Sequence, residues 1–454
     1  MRKTINPQPN LLEPWLELEH ARELEAISSM LNAHPKLNEL VLQDLRSVTP
    51  SAGSDVGRGG MSAEQVLRTL LVKQLNQFTY RELAFHLADS RSYRTFCQLG
   101  IIEPTPSKST LAANIKAVKF ETLEQINREL VSVAEDAGIE KGKKVRVDCT
   151  VVESNIHHPT DSELLYDCVR VLTRLMCRAR DLLGTVVVFG NRTRRAKRRR
   201  MGVLNARDKE QRRRVYRDLL KVSEETYRSA QRVAEQLEES GLTEPVKRAS
   251  AERIAADFEH FLVLTKKVIN QTQRRVIDEE RVPAEEKVVS IFEEHTDIIR
   301  KDRRETLYGH KVCLTGGSSS MILDCVILDG NPSDSTLAET MIDRQVELYE
   351  RAPRQVAYDG AFSSKANLEA IKGKGVEDVA FTKAHFAVTD MVKSTWVYQR
   401  LRRFRCGIEG VISFLKRVFG LDRCTWRSLP SFKSYVWSSI ITCNLLMMAR
   451  HLLR

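Results

Sequence analysis

The chain lacks several features, and each absence narrows what it can be. No Cys-x-x-Cys pair occurs, and the nine cysteines sit mainly within apolar runs. That argues against a zinc ribbon or a disulfide framework and leaves a reducing compartment as the expected setting. The opening Met-Arg-Lys-Thr-Ile-Asn-Pro leads into no apolar signal core. The longest apolar stretch, Tyr435 to Ala449, carries Ser438, Ser439, Thr442 and Asn444 and falls short of the roughly 20 residues a membrane span needs. It is expected to be a buried helix, in a soluble, cytoplasmic protein with no membrane partner. There is no internal repeat and no excess of acid. Lys and Arg number 72 against 60 Asp and Glu, a net charge of +12, which points to a polyanionic partner. With 42% hydrophobic and 29% charged residues, wholesale disorder is excluded. At roughly 150 residues per domain, 454 residues suggest three domains.

Residues 11–46 have helical spacing of Leu, Ile and Met, and Ser51 to Gly60 reads as a linker. Residues 1–59 are thus a helical segment with its linker. Residues 60–140 are again helical. Val66, Leu67, Leu70 and Leu71 form one apolar face, Phe78-Thr79 marks a turn, Tyr80 to Leu87 makes a second short helix, and Ser109 is placed to cap a third through Leu111, Ile115 and Val118. Short helices joined by tight turns suit a helix-turn-helix DNA reader, with Lys108 and Lys116 as phosphate contacts; a small bundle with no DNA role fits the same periodicity.

Val145 to Val152 alternates as a strand, with Val145, Val147, Cys149 and Val151 on one face and Arg146, Asp148 and Thr150 on the other. Residues 141–160 would form that first strand, and 161–300 a helical insertion, opened by a Thr160-x-x-Glu163 capping box. Within the insertion, seven of the nine residues from Arg192 to Arg200 are Lys or Arg. This run reads as a basic loop or solvated face, and beside a DNA-cleaving site Arg194, Arg195, Arg198, Arg199 and Arg200 would neutralise phosphates. Strand signals return at His310–Thr315, Met321–Leu328, Gln355–Tyr358 and Val379–Thr382, interleaved with helices near 335–350 and 364–372. Residues 301–454 therefore complete an α/β layer with a partly antiparallel sheet.

Three acids stand out by position. Asp148 lies on the first strand, opposite its apolar stripe. Asp359 ends a later strand, where open α/β sheets place their ligands. Glu409 lies on a helix whose Leu401, Phe404, Ile408, Val411, Leu415 and Val418 form a buried stripe. Arg405, four residues earlier, can reach Glu409 on the same face. The plain alternative is a surface ion-pair ladder.

These segments resemble the transposases of bacterial insertion sequences. Val147-Asp148-Cys-Thr-Val-Val152 with Asn155-Ile-His-His-Pro-Thr-Asp-Ser162 is similar to the family's first-aspartate region, and Tyr358-Asp359-Gly-Ala-Phe-Ser363 to its second. Arg405-x3-Glu409-x6-Lys416 matches part of the YREK signature, with Arg402 where the signature has Tyr. The nearest group is the ISNCY type. The resemblance implies an RNase H-like mixed-sheet catalytic core, an all-α N-terminal DNA-binding region and a large helical insertion. It implies a catalytic and metal-binding triad of Asp148, Asp359 and Glu409 holding two Mg2+ ions, with Mn2+ able to substitute. Arg405 and Lys416 would hold phosphate. The expected partners are the element's terminal inverted repeats and target DNA, bound by a homodimer in the bacterial cytoplasm, associated with the nucleoid. The rivals are an RNase H-like nuclease without strand transfer, a non-catalytic DNA-binding protein of the same fold, and a helical scaffold.

Overall fold

The computed structural model describes residues 4, 18–47, 60–100, 102–301, 305–383 and 386–454. The linker expected at Ser51–Gly60 lies outside them except for Gly60. Contacts divide the chain into two compact units, residues 1–155 with 299–454, and residues 156–298.

The first unit begins with helices α1 (Glu19–Ala33) and α2 (Lys36–Ser47). Then come α3 (Ala63–Leu75), α4 (Tyr80–Asp89), α5 (Arg91–Phe96), α6 (Lys108–Ala117) and α7 (Phe120–Asp136). Helices α3 and α4 open on full capping boxes, Ser62 with Gln65 and Thr79 with Glu82, in which side chains satisfy amides the helix leaves unpaired. The cap of α6 is Ser107, not Ser109. Ser107 has the extended backbone a cap requires and its hydroxyl accepts from the Thr110 amide, so the helix starts two residues earlier than its apolar spacing suggests. These helices have no core of their own. Leu67, Leu70, Leu111, Ile115 and Leu130 share one continuous core with the strands that follow.

Strand β1 (Lys144–Glu153) leads into the second unit, built from α8 (Asp161–Leu183), α9 (Thr193–Leu204), α10 (Lys209–Glu238) and α11 (Pro245–Thr272) around Leu165, Leu172, Leu219, Phe258 and Val268. The Thr160 hydroxyl caps α8 by accepting from the Glu163 amide, but the Glu163 carboxylate turns to Arg200 at 2.7 Å, so only half the expected box forms. The basic run is a helix, not a loop. Ala196 and Val203 bury one side of α9, and Asp218 takes Arg195 and Arg199, which relieves the repulsion that would otherwise oppose helix formation.

Strand β2 (Asp297–Lys301), which its sequence did not signal, comes next, followed by β3 (Glu305–Gly316), β4 (Ile322–Ile327), α12 (Ala338–Tyr349), β5 (Gln355–Tyr358), α13 (Lys365–Gly373), β6 (Asp378–Phe381), α14 (Val388–Met391), α15 (Thr395–Phe419) and α16 (Leu429–Leu452). The sheet is mixed and six-stranded, in the order β2-β3-β1-β5-β6, with β4 also paired to β3. β1 runs antiparallel to β3 and parallel to β5, which is parallel to β6. The fold is thus a helical majority around one mixed sheet. Helix α16 is buried on nearly every side. Its Asn444 accepts from the Ile322 amide at 2.9 Å and donates to the Ile322 carbonyl at 2.7 Å, completing backbone pairing at β4. Among the described residues no helix is long and apolar enough to cross a membrane.

Candidate active site

Sheet register brings the two aspartates together. β1 and β5 are parallel neighbours with Val147 opposite Tyr358, so the next residues on the two strands, Asp148 and Asp359, lie side by side. Helix α15 packs across β1, β5 and β6 and carries Arg405, Glu409 and Lys416. All five line one cavity of about 890 Å³.

An arginine on β1 anchors α15. Arg146, two residues before Asp148, donates to the Phe404 carbonyl at 2.8 Å and lies 4.6 Å from the Phe404 ring centre. A Cβ on Gly407 would stand 2.0 Å from Arg146 Nη1, so this contact requires a residue without a side chain one turn from Arg405 and Glu409. Gly360 acts similarly beside Asp359, where a Cβ would meet the Lys383 Cβ at 2.8 Å.

The acids have different surroundings. Asp148 is 18% exposed; its Oδ1 accepts from the Cys149 amide at 2.8 Å and its Oδ2 from Arg405 at 3.3 Å. Burial pushes its pKa up to about 6, assisted by the Asp359 and Glu409 charges and opposed by Arg405 and the Cys149 amide. Asp359 moves the other way. Burial would raise it, but the Thr382 hydroxyl at 2.8 Å, the Gly360 amide at 2.7 Å, and the Arg405 and Lys383 charges together hold it below the usual carboxylate range. Glu409 is the exposed member, at 59%, and accepts from Arg405. Lys416 pairs with Asp422 at 3.3 Å.

Arg405 is therefore the hub. It is 11% exposed and joins Asp148 to Glu409, and its buried Nε makes no hydrogen bond. The donor chemistry, carboxylate oxygens facing one cavity, suits a hard divalent cation. Among the described residues, however, no three Asp, Glu, His or Cys side chains come close enough together to hold one. With Arg405 paired to two of them, the acids are not drawn to a single point.

The remaining basic residues singled out in the sequence lie elsewhere. Lys108 and Lys116 are exposed on α6 and do not line the cavity. On α9, Arg195 and Arg199 pair with Asp218, and Arg200 with Glu163, while Arg194 and Arg198 are exposed. Arg402, at the signature's Tyr position, is exposed. Tyr398 lies one turn earlier on the same stripe, with Arg402 5.9 Å from its ring centre, and its hydroxyl donates to the Phe381 carbonyl at 2.9 Å. Sequence reasoning had placed Arg146 beside Asp148 without giving it a role, and it missed Thr382. Position at the end of β6, next to Asp359's strand, was the signal for Thr382.

Comparison with protein families gives two matches. A model described as a transposase DDE domain matches residues 269–445, and one described as a transposase domain (DUF772) matches residues 12–117. Nothing matches among curated proteins or solved structures.

Proposed function

The chain belongs to the DDE transposases of insertion sequences, and from that premise we propose that it binds the terminal inverted repeats of its element and carries out metal-dependent strand cleavage and strand transfer. One observation carries this reading: Asp148, Asp359 and Glu409, far apart in sequence, line a single cavity with Arg405 and Lys416. The sheet supports an RNase H-like core, since β1 has the antiparallel β3 and β4 on one side and the parallel β5 and β6 on the other. The ISNCY type rests on the sequence motifs alone.

Divalent cations, two Mg2+ in this reading, held by Asp148, Asp359 and Glu409 would relieve charge on the attacked phosphate and favour an oxygen nucleophile. The chain's own groups do the rest. Asp359, held ionised by Thr382 and Gly360, is ready to bind a cation at neutral pH. Asp148, with its raised pKa, keeps a proton more readily until a cation arrives. Arg405 must release Asp148 and Glu409 for both to act as ligands, and its fork then suits phosphate oxygens, as does the Lys416 ammonium. Water attacks first and frees a 3′-hydroxyl, which then attacks target DNA. Residues 60–140, with Lys108 and Lys116, would recognise the repeats, and exposed Arg194 and Arg198 on α9 would contact phosphates. Pairing two element ends calls for a dimer on DNA.

The test uses linear DNA ending in the element's terminal repeats, incubated with wild type or Glu409→Gln, with Mg2+ or EDTA. Metal-dependent cleavage at the repeat boundary, absent in the variant, with joined products, is the expected result. Cleavage without joining would leave a nuclease. Tight repeat binding with no cleavage by either protein would leave a non-catalytic binder.

A further inference from the structure

The first half of α15 presents a face that the carboxylate cavity does not use. From Met391 to Ile408 there is no acid, and Lys393, Arg400, Arg402, Arg403 and Arg405 supply five cations. Arg405 turns into the cavity, whereas Arg400, Arg402 and Arg403 are exposed. Among the described residues none of these three pairs with a carboxylate. On the same face stands Trp396, 62% exposed, with the Arg400 guanidinium 4.5 Å from its ring centre. The other described tryptophans, Trp426 and Trp437, are buried. Leaving a large indole in water forfeits its burial energy, so an exposed one flanked by unpaired arginines needs an occupant.

We propose that Trp396, Arg400 and Arg403 form a platform for an unpaired stretch of the DNA strand leading away from the reaction centre. The chemistry fits: every base offers a π-face to an indole, Arg400 adds a cation to the stack, and Arg403 reaches the phosphates between. The helix sets the distance. Trp396 precedes Glu409 by thirteen residues, roughly 20 Å at 1.5 Å per residue, or about six nucleotides along a strand at 3.4 Å each. The platform therefore contacts DNA well beyond the attacked phosphate. A second protein copy is the less suitable occupant, because the three arginines on this face would be desolvated without a matching acid on the same surface.

This inference rests on the proposed function and is tested separately from it. Full-length wild type, Trp396→Ala, Trp396→Phe and Arg400→Ala/Arg403→Ala would be titrated against fluorescent oligo(dT) of twenty nucleotides and a twenty-base-pair duplex, over a series of salt concentrations. Trp396→Ala should weaken oligo(dT) binding roughly tenfold and change duplex binding less than about twofold, with Trp396→Phe close to wild type. The double variant should weaken both and reduce the single-strand salt slope by about 1.4, for two lost phosphate contacts. Equal oligo(dT) affinities for wild type and Trp396→Ala would overturn the platform while leaving the proposed function standing. So would unchanged DNA binding with loss of self-association in sedimentation, which would make this face a contact between copies. Failure of wild type to bind either DNA would overturn both. Thermal melts of each variant show whether it is folded; since Trp396 is exposed, all are expected to melt with wild type.

Discussion

In the carboxylate cavity a single arginine, Arg405, largely buried, is paired to two acids, whereas on α9 a dense run of cations lies at the surface, some paired with Asp218 and Glu163 and others open to water. The α9 pairs are partly exposed and screened, so each is worth at most about 1 kcal/mol. The cavity charges are shielded from water, and the same Coulombic contacts there decide which acid keeps its proton. Basic residues are thus more numerous on α9 but individually more consequential in the cavity. Counting charges in the sequence finds the first group; only their depth identifies the second.

Removing the hub should give the largest effect. Arg405→Ala is expected to lower strand cleavage by about a hundredfold or more, on the scale of losing one preorganised donor to the reacting group. Binding of Mn2+ to the protein without DNA should tighten, because Asp148 and Glu409 lose their competing guanidinium. Calorimetric titration with Mn2+ reads the second effect independently of activity. Weaker Mn2+ binding would mean that Arg405 organises the acids for the cation rather than competing with it.

Asp148→Asn sharpens the contrast through stability. The carboxyl titrates at an ordinary 3.8 when unfolded and at about 6 when folded. The folded protein holds this proton more tightly, so the group's contribution is complete below pH 4 and is lost as pH rises through about 6. Without divalent cations, the variant should be more stable than wild type at pH 7, by at most about 3 kcal/mol for that shift. The advantage should vanish below pH 4. Thermal melts at the two pH values measure it, and a variant less stable at pH 7 would show that burial does not disfavour the charge.

The smallest effect separates the two sides of α9. Arg194→Ala/Lys197→Ala/Arg198→Ala should weaken binding to any duplex and flatten its salt dependence by about 2.7 for three phosphate contacts, with unchanged melting. Arg195→Ala/Arg199→Ala should leave the salt slope nearly as it was and lower stability by about 1 kcal/mol, since Asp218 loses both partners. Equal salt slopes for the two variants would mean that pairing with Asp218 does not withdraw those arginines from DNA.

Much of the fold was legible because its signals are local. β1 shows its alternation of faces, β5 ends where its apolar run meets Asp359-Gly360, and the buried stripe of α15 places Glu409 and Arg405 on a neighbouring side. Less legible were features that depend on partners elsewhere in the chain. β2 is a short strand with no periodic signal. The helical state of residues 193–200 depends on Asp218 and on apolar contacts that the local run of like charge does not reveal.

The sequence by itself determined which residues carry the chemistry. Periodicity, turn residues and motif order depend only on near neighbours, and they placed Asp148 on a strand, Asp359 at a strand end and Glu409 on a helix beside Arg405. Tertiary structure alone decided that the parallel register of β1 and β5 sets the two aspartates side by side, that Arg405 bridges Asp148 to Glu409, and that burial separates the protonation of Asp148 from that of Asp359. The reason is physical: pairing register and depth are properties of space, where residues hundreds of positions apart become neighbours and water is excluded.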